Sequence, residues 1–231
     1  MKYFGEGLSE QHKALQKIIR KPDQLEAAKE LFLTIHASLH LSDNRMAAVN
    51  EVDELLNDLT VQEYAYMATS KDETIAWVLW HTARIEDLTM NYLAARQEQL
   101  FDSGWQQAMR VDNTDTGNAW SDDEILQFSH QVDIKALLNY RRQVSLRTRT
   151  IVNELHAADM RRQVQAEDLD KIWAVKGVSE HVDSMWLLDF WGKKDVAGLL
   201  LMPPTRHVML HLNDCCKWKQ YFRSNKRIYR E

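Results

Sequence analysis

From Pro22 to about Leu41, the apolar residues Leu25, Ala28, Leu31, Phe32, Ile35 and Leu39 recur at three- and four-residue steps. That spacing lines one side of an α-helix. Pro22-Asp23 suits its first turn, where the missing N–H costs nothing. A short acidic helix is expected from Glu51 to Leu59. Thr60-x-x-Glu63 has the spacing of a capping box and starts another short helix. Ser70-x-x-Glu73 repeats the box and opens the strongest helix, about Lys71 to Gln99, with Val78, Ile85, Leu88 and Tyr92 in its stripe. Ser121-x-x-Glu124 caps the next helix. Asp133 caps a long one to about His156, with Leu137, Leu138, Val144, Ile151, Val152 and Leu155 inward. Short helices follow around Asp168 to Val175 and His181 to Phe190, and "WGKKDVAGLLLMPP" leads into a last long helix, about Pro204 to Arg223. The Gly-, Asn- and Asp-rich stretch Asp102 to Trp120 reads as a long loop. A loop of that length in a compact domain is functional or mobile.

Four long helices, several short ones and no strand pattern predict an all-α fold, a helical bundle. Nothing resembling a linker divides it, so one domain is expected over residues 1–231, with 1–21 as an N-terminal extension. Composition agrees: 7 glycines and 3 prolines leave few tight turns for an all-β fold. The formal charge of -5 offers no basic excess for a phosphate backbone, so nucleic acid is not expected as a partner. The basic stretch Lys217 to Arg230 reads as a solvated helix end. No apolar run approaches the ~20 residues of a membrane span, and the first residues lack a signal-peptide core. Cys215 and Cys216 are adjacent, so a bridge between them would be strained. A cytoplasmic protein of a reducing compartment is the expectation.

The candidate chemistry lies in the 9 histidines. His12, His130 and His156 sit among polar neighbours and read as surface residues, and His181 lies at a helix start. His81 shares a helix face with Trp77, Val78, Ile85 and Leu88, so it points inward. His207 and His211 are spaced i, i+4, which puts both rings on one side of a helix within reach of one ion. A zinc peptidase would need glutamate after the first histidine, and Val208 stands there. One inward histidine plus this pair makes three nitrogen ligands, the open arrangement of a catalytic metal centre. A rival i, i+4 pair, His36 and His40, could supply ligands, support them from behind or hydrogen-bond within the core. Glu86 and Asp214 could orient a ring or act as a base, although a solvated face accounts for both. Arg84 and Arg206 could hold an anion, with surface ion pairing as the plainer reading. Trp77, Trp80 and Trp186 read as core, and the cysteines as small buried apolar groups.

"LWHTARIED" (Leu79 to Asp87) and "RHVMLHLND" (Arg206 to Asp214), each on a long bundle helix, resemble the DinB/YfiT-like superfamily, over about Leu25 to Tyr221. The N-terminal extension and the long loop suit a larger subgroup. The resemblance implies an up-down-down-up four-helix bundle with extra short helices, and a divalent metal held by His81, His207 and His211. It implies a homodimer. Relatives of this kind include transferases using low-molecular-weight thiols, a thiol-dependent isomerase and metal-dependent hydrolases. Where that family commonly has one residue and then Gly-Gln after the last histidine, this chain has Leu212-Asn213-Asp214. The expected function is therefore a metal-dependent enzyme of thiol-dependent transferase or hydrolase type. It would use zinc, nickel or iron on a small-molecule substrate, with a low-molecular-weight thiol as co-substrate. The alternative, suggested by 8 tryptophans and 7 tyrosines, is a non-catalytic bundle that binds a ligand or dimerises.

Overall fold

The computed structural model describes residues 5–42 and 49–225. In chain order the helices are α1 (Leu8–Ile18), α2 (Leu25–Ala37), α3 (Glu51–Leu56), α4 (Val61–Tyr64), α5 (Ile75–Leu88) and α6 (Ser103–Met109), then α7 (Asp122–Gln131), α8 (Ile134–Glu154), α9 (Ala166–Ala174), α10 (Val182–Gly192), α11 (Val196–Leu200) and α12 (Val208–Ser224). No strand occurs among the described residues, and the fold is all-α. None of their helices is long and apolar enough to cross a membrane.

Helices α2, α5, α8 and α12 form the bundle, and α5 is its centre. All residues from Ile75 to Leu88 are buried, not one stripe of them. Helix α5 packs against α8, α12 and the short α7 and α4. A helix enclosed on every side must find partners for its polar groups within the protein, and this requirement shapes the site. Helix α1, from the expected extension, lies along α2 and buries Leu8 and Leu15, with Ile19 just beyond its end. Burying each such aliphatic side chain contributes roughly 1.5–3 kcal/mol.

Local signals hold at several helix starts. Thr60 and Ser121 make complete capping boxes with Glu63 and Glu124, and the Asp133 side chain accepts from Ala136 N–H. The Ser70 box does not form. Thr74 is the cap of α5: its hydroxyl accepts from Trp77 N–H at 3.0 Å and meets the buried Ser129 hydroxyl at 2.6 Å. The predicted helix to Gln99 changes character at Thr89. A wider π-type turn runs over Thr89–Ala95 and stops at Arg96, whose φ is 57°. Asn91 helps hold this turn by donating to the Asp87 carbonyl and carboxylate.

The expected 102–120 loop is partly helical, because Asp102 caps α6 through Trp105 N–H. The first predicted helix begins with a tighter turn, Pro22–Gln24, and ends earlier, at Ala37. The last begins with another π-type turn, Met202–His207, with α12 following from Val208. Prolines 203 and 204 lack the N–H that a regular helical ladder uses. Ion pairs anchor part of the basic C-terminal stretch: Lys219 and Arg223 both reach Asp58, at 2.6 and 2.5 Å. Residues 226–230 of that stretch lie outside the described residues.

Candidate metal centre

Helix α5 supplies His81, the Met202–His207 turn supplies His207, and the first turn of α12 supplies His211. One nitrogen of each can be chosen so that all three lie within 4.8 Å of one another, a group that could hold a metal ion. His81 Nε2 stands 3.1 Å from His207 Nε2. Ring centroids are 5.0 Å apart from His81 to each of the other two, and 4.7 Å between His207 and His211. All three rings pack nearly edge to face.

The His81 tautomer follows from its partner. Its Nδ1 lies 2.8 Å from the Thr116 carbonyl, which can only accept, so Nδ1 carries the proton. The Nε2 lone pair is then left facing His207. Burial, reinforced by His207 and His211, holds the His81 pKa well below its ordinary 6.5, against the opposing pull of the Thr116 bond. Burial and then His211 push His207 down to about 3. Burial also lowers His211, opposed by Asp214. Neutral imidazoles are the ligating form. The donor set therefore fits a divalent transition metal: three uncharged nitrogens converge, one with its lone pair fixed by a hydrogen bond on the far side of the ring.

That hydrogen bond belongs to a row. Arg84 Nε and Nη2 donate to the Thr114 carbonyl at 3.1 and 2.8 Å, and Trp80 Nε1 donates to Asp115 at 3.0 Å. His81 takes Thr116, and Trp77 Nε1 donates to Gly117 at 3.1 Å. Four side chains on one face of α5 thus bind four consecutive carbonyls. The stretch expected to be a functional or mobile loop is held by this row and by Thr116 N–H bonding to the Gly177 carbonyl. Gly117 has φ +75°, and a Cβ there would come within 2.7 Å of Trp77 Nε1, so glycine suits both the turn and the contact. Trp77 also stacks on His81, with centroids 4.3 Å apart and planes 10° apart.

His81 and His207 wall a cavity of about 140 Å³ with Ile85, Trp186, Phe190 and Met202. No charged side chain among the described residues lines it; Asn118 adds a polar group. Arg84 is fully buried and is neither a surface ion-pairing residue nor part of this wall. Its other partners are Asp87, Tyr140 and Gln99. Arg206 is exposed. Trp77 and Trp80 are core residues as expected, but Trp186 is 48% exposed because it stands at the cavity rim. Asp214 pairs with Lys217 at 2.7 Å. Both cysteines are buried and neither forms a disulfide, and burial pushes the Cys215 thiol well above its ordinary range. His130 and His156 are exposed as expected. His12 is instead buried, its Nε2 donating to the Leu201 carbonyl at 2.8 Å, because α1 packs inward.

The rival pair forms a cluster of its own. His36 Nε2 donates to Glu86 Oε1 at 2.8 Å, and His40 Nε2 lies 3.3 Å from Glu86 Oε2. Glu86 is 1% exposed, so it does not lie on a solvated face. Burial pushes its carboxyl up, but the two imidazoles outweigh this and hold it well below the usual carboxylate range. Burial, then Arg141, pushes His40 down to about 3 against the pull of Glu86. Arg141 is buried too and donates to the Leu39 carbonyl at 2.6 Å. Sequence reasoning missed Glu86 as an inward residue. No local signal pointed to it, because Arg84 and Asp87 beside it give this stretch the pattern of a solvated face.

Fold and site together define an all-α bundle with a cluster of three histidines able to hold a metal ion. The family model described as the DinB superfamily matches residues 47–214, and the chain belongs to that superfamily. The match includes His81, His207, His211 and Glu86 and begins beyond α2. A search of the curated proteins finds no match.

Proposed function

We propose that this protein is a metal-dependent enzyme of the thiol-dependent transferase or hydrolase type, acting on a small molecule at His81, His207 and His211. The observation that carries the reading is the convergence of three neutral imidazoles, two of which, His81 and His207, line a cavity. Zinc, nickel and iron all suit three nitrogen ligands. Held by His81, His207 and His211, such a cation would lower the pKa of a water or thiol and so supply a nucleophile near neutral pH.

The protein's own groups do the rest. The Thr116 carbonyl holds the Nδ1 proton of His81 and keeps Nε2 aimed inward. Trp77 restrains that ring by stacking. Ile85, Trp186, Phe190 and Met202 exclude water and seat an apolar part of the substrate. Without a lining cation, the cavity favours an uncharged group over a carboxylate or phosphate next to the centre. The reading includes one domain over residues 1–231, with 1–21 as an extension of the family core, and a homodimer in a reducing, cytoplasmic setting. Sedimentation analysis tests the dimer.

The primary test is metal content after reconstitution with zinc, nickel or iron, measured for the unaltered protein and for His207→Ala. One equivalent should be lost in the variant. An equal metal content in both overturns the assignment. The loaded protein is then screened for thiol transfer and for ester or amide hydrolysis. Turnover that disappears in His81→Ala supports an enzyme, whereas ligand binding without turnover favours the non-catalytic bundle.

A further inference from the structure

We infer that His36, His40 and Glu86 form a second divalent-cation site, separate from the three-histidine centre and structural in role. His36 and His40 stand on successive turns of α2 and its C-terminal end, and Glu86 comes from α5. A ligand atom from each can be chosen so that all lie within 4.8 Å of one another. The residues are 0%, 4% and 1% exposed. Phe32 stacks on His36 with centroids 5.4 Å apart, and the two imidazoles stand 4.3 Å apart.

A simple hydrogen-bonded clamp explains half of this arrangement. His36 Nε2 meets Glu86 Oε1 at 2.8 Å in good geometry. The His40 ring has no such bond: Nδ1 and Nε2 are both buried without a hydrogen-bond partner, although Nε2 is 3.3 Å from Glu86 Oε2. Leaving a buried polar atom unsatisfied destabilises the fold. A cation shared by His36 Nε2, His40 Nε2 and Glu86 gives the otherwise unpartnered His40 nitrogen a partner. Two imidazoles and one carboxylate suit zinc, iron, manganese or nickel better than magnesium or calcium, which favour oxygen ligands.

Burial sets the role. No ligand has a face to bulk solvent, so the site cross-links rather than turns over substrate. It ties α2, which lies outside the matched family span, to α5 inside that span. Binding to the folded state alone stabilises it by mass action.

The test uses the full chain reconstituted with zinc or cobalt(II). Metal stoichiometry is read by elemental analysis and native mass spectrometry for the unaltered protein, His40→Gln, Glu86→Gln and His207→Ala, with circular dichroism as the folding control. Two equivalents are expected in the unaltered protein and one in each variant. If one equivalent binds, survives His40→Gln and is lost in His207→Ala, the second site is overturned and the proposed function stands. If it survives His207→Ala and is lost in His40→Gln, the second site stands and the three-histidine reading falls. No bound metal overturns both. If His40→Gln fails to fold, X-ray absorption of the His207→Ala protein decides: two imidazoles and a carboxylate oxygen support the site, and three imidazoles or no metal overturns it. Hydrogen exchange along α2 should slow at least tenfold with metal, in His207→Ala as in the unaltered protein.

Discussion

Replacing Asp87 with alanine should be among the costliest single changes in the chain. Its buried carboxylate accepts from Leu100 N–H and Phe101 N–H, each at 2.9 Å, and from the Tyr140 hydroxyl at 2.6 Å. It also accepts from Asn91 Nδ2 at 2.7 Å and Arg84 Nη1 at 3.2 Å. Arg84 keeps the Thr114 carbonyl and Gln99, and Asn91 keeps the Asp87 carbonyl. The two backbone N–H groups and the Tyr140 hydroxyl lose this acceptor. At about 1–3 kcal/mol for each donor stranded in the interior, Asp87→Ala should cost about 4 kcal/mol. For a chain of this size that lowers Tm by roughly 8–16 °C. Asp87→Asn keeps one acceptor oxygen and should cost about half as much. Tyr140→Phe removes one donor and should cost about 1 kcal/mol. Urea denaturation at neutral pH, fitted with a common slope, measures all three. A loss below about 1 kcal/mol for Asp87→Ala would refute the claim that this carboxylate secures the chain between the π-type turn and α6.

Metal-free protein should lose stability on acidification. His207 stays neutral in the fold down to about pH 3, while the unfolded chain takes up that proton near pH 6.5, so this contribution is full above 6.5 and declines as pH falls. At pH 4.5 the loss from His207 is roughly 3 kcal/mol; urea midpoints from pH 7.5 to 4.5 should show it, and a His207→Gln variant as steep as the parent would count against it. Gly117→Ala should lower stability by about 1–3 kcal/mol, because φ is +75° and the new Cβ meets Trp77 Nε1; an unchanged Tm would argue against that strain. Asp58→Asn removes ion pairs to Lys219 and Arg223, yet Asp58 is 58% exposed, so the cost should stay within about 1 kcal/mol, read from the same urea titration.

The parts of the fold legible in the sequence are those governed by neighbouring residues. Thr60, Ser121 and Asp133 act as caps because the hydroxyl or carboxylate and its N–H partner lie three residues apart. Thr74 could not be preferred to Ser70 in the same way, since its hydroxyl is held by Ser129, 55 residues further on. The burial of Arg84, Glu86 and Asp87 was hidden for the same reason. Three charged residues in four positions resemble a wet helix face until Tyr140, Thr114 and His36 approach from distant segments. His81, His207 and His211 were legible as a set because one lies on an inward stripe and two are a turn apart. That they converge is a matter of how α5 meets the Met202–His207 turn. The π-type turns left no trace in periodicity, because each is a single wider turn inside an otherwise ordinary pattern.

The row of side chains on α5 that grips carbonyls 114 to 117 has a consequence for variation. A carbonyl is the same whichever residue carries it. The orientation of His81 is therefore written in the helix and in the length of the opposing segment and, apart from Gly117, hardly at all in that segment's letters. Substitutions at Thr114, Asp115 or Thr116 that preserve the backbone path leave the grip in place. Deleting one residue would move every carbonyl past its donor and present the histidine with the wrong neighbour. The segment works as a ruler for the centre, and outside Gly117 its tolerance should be wide for composition and narrow for count.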